Sequence, residues 1–297
     1  MLGLREKRWG MLKGLSTSFV ENNLQSSFWY YTRVKYPLEH IQPMFVDAHI
    51  HLSDPALKDL LPQIILEAKI TRTLLIAVAE DTSTSALNLK IAEEAGEVVK
   101  PFLGVHPWSL QNEGFDESEV MSLEPERFAG VGEVGLDRKY ARDDVEYRRQ
   151  REVFEYMLRL AERLQKPLSI HSRGSVDDVL STLTTYHLRG VLLHWFSGAP
   201  NQLKVACDRG YYISYGPAVI YSKKTKQLAS STPPDLILTE TDGPVKFGGV
   251  FQNRIALPAF IPSIIFTLSS LHKLGFEEMR SIIFENALNY LGSKYNK

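Results

Sequence analysis

Eight short apolar runs separated by longer amphipathic stretches constrain this chain more than any other feature of it. The runs are Met44–Ile50, Thr73–Ala79, Val98–Val105, Phe128–Val134, Pro167–His171, Gly190–His194, Tyr211–Tyr215 and Asp235–Thr239. Each has the length of a strand. Each is apolar almost throughout rather than alternating, as expected of a strand covered on both faces. Between them the sequence takes up a helical rhythm, clearest over Ala56–Ile70, Ser83–Glu97, Asp143–Gln165, Val176–Thr185 and Ala199–Arg209. Two further helices are expected near Leu257–Leu274 and Glu277–Leu291, with Gly275 as the break between them. Strands alternating with helices build a parallel sheet, and eight such units in about 250 residues build an α/β fold of the closed (β/α)8, or TIM, barrel type. An open doubly wound sheet is the other architecture the alternation permits.

This pattern begins at Met44, which divides the chain into residues 1–43 and a barrel domain over 44–297. The leading segment carries Arg5, Lys7, Arg8, Lys13, Arg33 and Lys35 against Glu6, Glu21 and Glu39, and holds the aromatic run Trp29-Tyr30-Tyr31. No apolar run of signal-peptide length follows its basic start. It reads as an extension, either packed on the domain or mobile, or as sequence upstream of a start at Met44.

Composition narrows the function classes. With 34 basic and 35 acidic residues the net charge is −1, which excludes a basic nucleic-acid coat and an acidic tail protein. It leaves a nuclease open, because a local field does not show in a sum. The one cysteine, Cys207, excludes a disulfide framework and a thiolate zinc cluster, and fits a reducing interior such as the cytoplasm. No stretch reaches the roughly 18 apolar residues of a membrane-spanning helix, so no membrane partner is expected.

Chemistry gathers at the strand ends. Of the histidines, His49, His51, His171 and His194 end or nearly end an expected strand, and His106 directly follows another. In a barrel those ends open onto one face, where catalytic groups sit. In Asp47-Ala48-His49-Ile50-His51 the two imidazoles are two residues apart and point to the same side of a strand, so both can reach one metal ion. Two bare histidines in so apolar a run would be costly without partners. Gly132-Glu133-Val134-Gly135-Leu136-Asp137 ends the fourth strand with a carboxylate that needs a cation or donors, and a carboxylate can bridge two cations. Ile170-His171-Ser172-Arg173 and Leu193-His194-Trp195-Phe196-Ser197-Gly198 end the fifth and sixth strands. Thr239-Glu240-Thr241-Asp242-Gly243-Pro244 ends the eighth, which neighbours the first in a closed barrel. Taken singly, each has a structural reading: a core histidine bonded to backbone, a salt-bridged glutamate, or an aspartate opening a turn.

Together these motifs resemble the TatD-type metal-dependent deoxyribonucleases of the amidohydrolase superfamily. Gly104-Val105-His106-Pro107 matches a further element of that family. The resemblance covers roughly residues 44–290, in family order. Two departures are visible: Gly243 stands where the family usually has serine, and Trp108 where it often has a second histidine. The resemblance implies a site for two divalent ions, Zn²⁺, Mn²⁺ or Mg²⁺. His49, His51 and Asp242 are expected to hold one and His171 and His194 the other, with Glu133 bridging. It also implies hydrolysis of DNA phosphodiester bonds, chiefly from strand ends, by a water activated between the ions. Asp242 and Glu133 are expected to be catalytic, with Asp242 taking the proton. His106 and Arg173 are expected to donate to the phosphate. A salt bridge to Asp137 or Asp177 is the other reading of Arg173. Lys223, Lys224 and Lys226 form a small basic cluster near the expected mouth, and Trp108, Trp195 and Tyr221 are placed to stack bases, whereas Phe196 is expected to pack a loop.

Two other functions compete. A small-molecule amidohydrolase cleaving an amide, ester or lactone shares this barrel, although many use a modified lysine as the bridge where this chain has Glu133. A non-catalytic scaffold should have lost at least one ligand, and all six are present. No candidate ligand precedes Asp47. A protein starting at Met44 is therefore expected to fold and to keep the wild-type cleavage rate, measured on end-labelled single-stranded DNA with Mg²⁺, Mn²⁺ or Zn²⁺. Lost activity in a folded truncation would assign the leading segment, and first Trp29-Tyr30-Tyr31, to substrate binding.

Overall fold

In the computed structural model the described residues are 45–111 and 115–292; expectations for residues 1–43 and for Met44 lie outside them. Eight strands form one parallel sheet in chain order: β1 (Phe45–Ile50), β2 (Thr73–Ala77), β3 (Val99–Leu103), β4 (Gly130–Gly135), β5 (Leu168–His171), β6 (Val191–Leu193), β7 (Tyr212–Tyr215) and β8 (Ile237–Thr239). The eight apolar runs are these eight strands, with every end within two residues of the expected one and β4 running one residue further, to Gly135. β2, β4, β6 and β8 are buried along their whole length. Helices on the outside and side chains within the barrel cover them on both faces, which is why no polar alternation shows in the sequence. The fold is a (β/α)8 barrel, and the open-sheet alternative is set aside.

The barrel closes without a β8–β1 strand ladder among the described residues. Side chains and the segment after β8 form the seam instead. Thr239 Oγ1 donates to Val46 O at 2.6 Å. Thr241 donates to the Asp47 carboxylate through its N–H (2.9 Å) and its hydroxyl (2.5 Å). Asp242 N–H donates to His49 O, and His51 N–H to Gly243 O, both at 2.9 Å. Every bond in this seam uses a residue of a candidate site motif.

Helix boundaries follow local chemistry. The longest helix, Asp144–Leu164, is capped by Asp143, whose carboxylate accepts from Glu146 N–H at 2.9 Å, and ends where Gln165 turns to φ 52°. It buries Val153, Phe154, Met157, Leu158 and Ala161 against the barrel. The helix expected over Ala56–Ile70 is instead a 3-10 turn, Pro55–Leu57, followed by a helix over Leu61–Thr71. Pro62 is the reason: it has no N–H and its ring would strike the carbonyl four residues back, so a helix can begin at it but not pass through it. Likewise Pro234–Leu236 is a 3-10 turn ahead of β8, and Pro258–Phe260 precedes the helix Ile261–His272. Short helices over Glu117–Ser122 and Lys223–Ser231, and a small hairpin pairing Lys246–Phe247 with Arg254–Ile255, were not expected. No single helix among the described residues is long and apolar enough to cross a membrane.

Above the end of β3 the chain crowds. Glu133 N–H donates to Ala79 O at 2.8 Å, and Ala79 N–H donates to Gly132 O at 3.0 Å, linking the ends of β2 and β4. Gly104 lies beneath that link. A Cβ there would run into Ala79 O and into the backbone at Gly132 and Glu133, which hold no flexible atoms to move aside. Gly104→Ala is therefore expected to cost about 1–3 kcal/mol. A thermal melt should show it as a loss of about 2–4 °C per kcal/mol for a domain this size. An unchanged melting temperature would mean that the β2–β4 link is not rigid.

Candidate metal centre

The strand ends deliver their polar side chains to one point. His49 lies on β1 and His51 just beyond it, Glu133 on β4, His171 at the end of β5, His194 after β6 and Asp242 after β8. All but His171 are buried. Glu133 is their common neighbour. Its Oε2 lies 3.3 Å from His49 Nε2 and 3.4 Å from His51 Nε2. Its Oε1 lies 2.8 Å from His171 Nδ1, 2.8 Å from His194 Nε2 and 3.2 Å from His106 Nε2. Asp242 Oδ1 faces the first group, 3.3 Å from His51 Nε2 and 3.6 Å from His49 Nε2. The structure thus brings all six sequence-derived ligand candidates together and adds His106 to their ring. Sets of three within 4.8 Å of one another are His49, His51 and Glu133; His49, His194 and Asp242; and His106, Glu133 and His171.

The charge balance of the cluster points to a cation. Among the described residues all of Glu133's ionisable partners are histidines. Burial penalises its ionised form, yet His106, His194 and His49 around it hold it well below the ordinary glutamate range. Burial also disfavours a charged His51, but Asp242 and Glu133 outweigh that and push it up to about 9. Protons on imidazole are one way to balance two buried carboxylates. A divalent ion balances them with the imidazoles neutral, displacing those protons.

Individual rings support this fit. Burial keeps His49 below the ordinary histidine range, so it is neutral and carries one proton. Its Nδ1 bonds Ser169 Oγ at 2.8 Å, and its buried Nε2 has no hydrogen-bond partner. With the proton on Nδ1, the Nε2 lone pair faces the oxygens of Glu133 and Asp242, an arrangement that repels unless a cation lies between. His171 differs: both its nitrogens bond carboxylates at 2.8 Å, Nε2 to Asp137 Oδ2 and Nδ1 to Glu133 Oε1, and those bonds outweigh burial and push it up, so a cation at Nδ1 would take the place of a proton. Behind His194 lies the buried Glu240, 3.7 Å from Nδ1, which itself accepts from Trp195 N–H (2.9 Å) and Ser214 Oγ (2.5 Å). Such outer partners orient metal-binding imidazoles and raise their basicity.

His106 is the exception. The Trp108 backbone N–H donates to His106 Nδ1 at 3.2 Å. An amide N–H points only at a lone pair, so Nδ1 is unprotonated and the proton of the neutral ring sits on Nε2, facing Glu133. Burial also holds His106 down to about 4, which keeps it neutral. A nitrogen that carries a proton donates hydrogen bonds and does not ligate a metal. Arg173 satisfies one of its two readings directly, donating from Nε to Asp137 Oδ2 at 2.9 Å. Its guanidinium is nonetheless half exposed (54%) at the mouth.

The supporting residues were partly legible. Ser169 precedes His171 by two on β5 and Asp47 precedes His49 by two on β1, so strand periodicity puts each on the face of a site histidine. Glu80, 3.7 Å from His51 Nδ1, follows β2 and carries no motif that would single it out. Phe196 is buried and packs the core. Lys223 and Lys224 open a helix, and Lys224 Nζ donates to Ser197 O at 2.8 Å.

Residues 46–292 match the family model described as TatD related DNase. The chain is similar to a human deoxyribonuclease, TATDN3, at 30% identity over 67% of this chain and 77% of that one. It is also similar to YabD of Bacillus subtilis, described as an uncharacterized metal-dependent hydrolase, at 27% identity over 82% and 97% of the two chains. Among solved structures, Escherichia coli YjjV, a TatD homologue, superposes with a TM-score of 0.77 at 26% identity, covering 85% of this chain and 99% of that one.

The tautomer of His106 sets the expectation for this centre. His106→Ala should keep the metal stoichiometry of the wild type and weaken its affinity by about 10–100-fold, whereas His171→Ala should lose one bound ion. Calorimetric titration of the metal-free protein with Mn²⁺ and Zn²⁺ measures both. Loss of one bound ion in His106→Ala would make His106 a ligand.

Proposed function

We propose that this chain, which belongs to the TatD-related DNase family, is a metal-dependent deoxyribonuclease that hydrolyses DNA phosphodiester bonds, chiefly from strand ends, at a site for two divalent ions. The division of Glu133 carries the reading: one carboxylate oxygen faces His49 and His51, the other His171 and His194. A carboxylate so flanked is built to bridge. His49, His51 and Asp242 hold one ion in this scheme and His171 and His194 the other, with Glu133 shared. Imidazole-rich sites favour Zn²⁺ or Mn²⁺, and the carboxylates also admit Mg²⁺. When bound, two such ions supply Lewis acidity at the attacking and leaving oxygens of a phosphodiester.

The chain's own groups do the rest. Asp242, held at φ 53° by its N–H bond to His49 O, presents its carboxylate to the centre and accepts the proton of the attacking water. His106 donates its Nε2–H to a non-bridging phosphate oxygen without adding charge. Arg173, anchored through Nε on Asp137, keeps the far edge of its guanidinium for the same phosphate. A glutamate rather than a lysine at the β4 bridge favours this reading over a small-molecule amidohydrolase. The unpaired Cys207 fits a reducing compartment such as the cytoplasm.

Glu133→Gln removes the charge that both ions need and should abolish cleavage of end-labelled single-stranded DNA at every metal concentration. His194→Ala weakens one ion only, and high Mn²⁺ should restore part of its activity by mass action. Both variants should remain folded by circular dichroism. If Glu133→Gln kept more than about a tenth of the wild-type rate, a barrier change under about 1.4 kcal/mol, a single-ion site on His49, His51 and Asp242 would replace the bridged pair.

A further inference from the structure

The described residues contain two tryptophans, and neither is in the core. Trp108 is 39% exposed and Trp195 42% exposed. Both stand on loops that follow barrel strands on the face of the metal centre, Trp108 after β3 and Trp195 after β6. The other exposed aromatics are Tyr140, Tyr221 and Phe266. Tyr140 and Tyr221 sit on the same face, after β4 and β7, so that Phe266 alone lies elsewhere, on an outer helix. An apolar ring left in water forgoes burial, and four of five such rings surround the candidate site.

Each tryptophan is coupled to a ring that faces Glu133. Trp108 packs on His106 with centroids 4.4 Å apart, and its backbone fixes the His106 tautomer. Tyr140 meets Trp108 edge-on, with centroids 5.7 Å apart. Trp195 follows His194 directly, in the left-handed region at φ 37°, and Glu240 holds that backbone by accepting its N–H. Its ring leans on Phe247, with centroids 5.3 Å apart. Each indole thus packs on neighbouring rings while about two fifths of it stays exposed to solvent on the face of the centre. Trp108 also stands at one of the two positions where the sequence departs from the family pattern.

On the nuclease reading above, we propose that Trp108 and Trp195 are stacking platforms for the nucleobases flanking the scissile phosphate. Every base has a π face, so such platforms bind without regard to sequence. The phosphate lies between them on His106, Arg173 and the metal centre.

The test compares two single-stranded oligonucleotides of one sequence, one intact and one with tetrahydrofuran abasic residues on both sides of the cleaved bond. Steady-state kinetics are run on the metal-loaded wild type and on Trp108→Ala, Trp195→Ala and the corresponding Phe variants, each checked by thermal melting. On the intact strand each Ala variant should raise KM by about tenfold, with a smaller change in kcat, and each Phe variant should recover most of the loss. On the abasic strand wild type and Ala variants should have the same KM. Equal losses on both strands, or no loss in either Ala variant, overturn the platforms. A wild type that cleaves neither strand with Mg²⁺, Mn²⁺ or Zn²⁺ overturns the nuclease reading, and the platforms with it.

Discussion

A fully buried carboxylate, Glu133, sets the terms for the rest of this molecule. Burying an ionised carboxylate costs several kcal/mol unless charge and hydrogen bonds compensate it. Glu133 meets that cost with imidazoles alone, drawn from four strands other than its own. No helix or hairpin could supply them, because they lie too far apart in sequence. A closed parallel barrel can, since all its strands end on one face. The outer layer then serves the imidazoles: Ser169 sets His49, Asp137 sets His171 and Glu240 lies behind His194.

Barrel closure and site assembly are the same set of bonds. The seam between β8 and β1 depends on Thr241 donating twice to the buried Asp47 and on Asp242 N–H reaching His49 O. Burial pushes Asp47 up to about 7, and the two Thr241 bonds keep it from rising further. Asp242 is thus placed by the backbone of the histidine it faces. A loop grafted on a finished barrel would not have that property. It follows that substitutions at Thr241 or Asp47 act on stability and on the centre together, and that neither effect can be read without the other.

Much of this was legible because the physics that writes it into sequence is periodic. Strands buried on both faces produce uninterrupted apolar runs, and all eight were found. His-x-His across one strand, and histidines at successive strand ends, mark a converging face without any knowledge of the loops. Prolines hid helix starts, because an amphipathic rhythm runs through Pro62 although a helix cannot. The supporting layer was harder to see. Glu80 acts on His51 through a contact between neighbouring loops, and no spacing encodes that. The tautomer of His106 depends on where one backbone N–H points, which is set by the turn at Pro107 and not by residue type.

That tautomer separates two kinds of imidazole within one ring. His49 bonds Ser169 through the far nitrogen and turns a lone pair inward. His106 accepts from the backbone at the far nitrogen and turns a proton inward. The distinction decides the charge that a substrate meets. Glu133 and Asp242 bring two negative charges, and a phosphodiester brings a third. Against them stand His51, His171 and His194, all pushed above the ordinary histidine range by the carboxylates, while His106 stays neutral and the Arg173 guanidinium is already shared with Asp137. A neutral amide could enter such a site with little electrostatic penalty. On the nuclease reading, a divalent cation that binds here displaces those imidazole protons and must itself supply the positive charge that a phosphodiester meets.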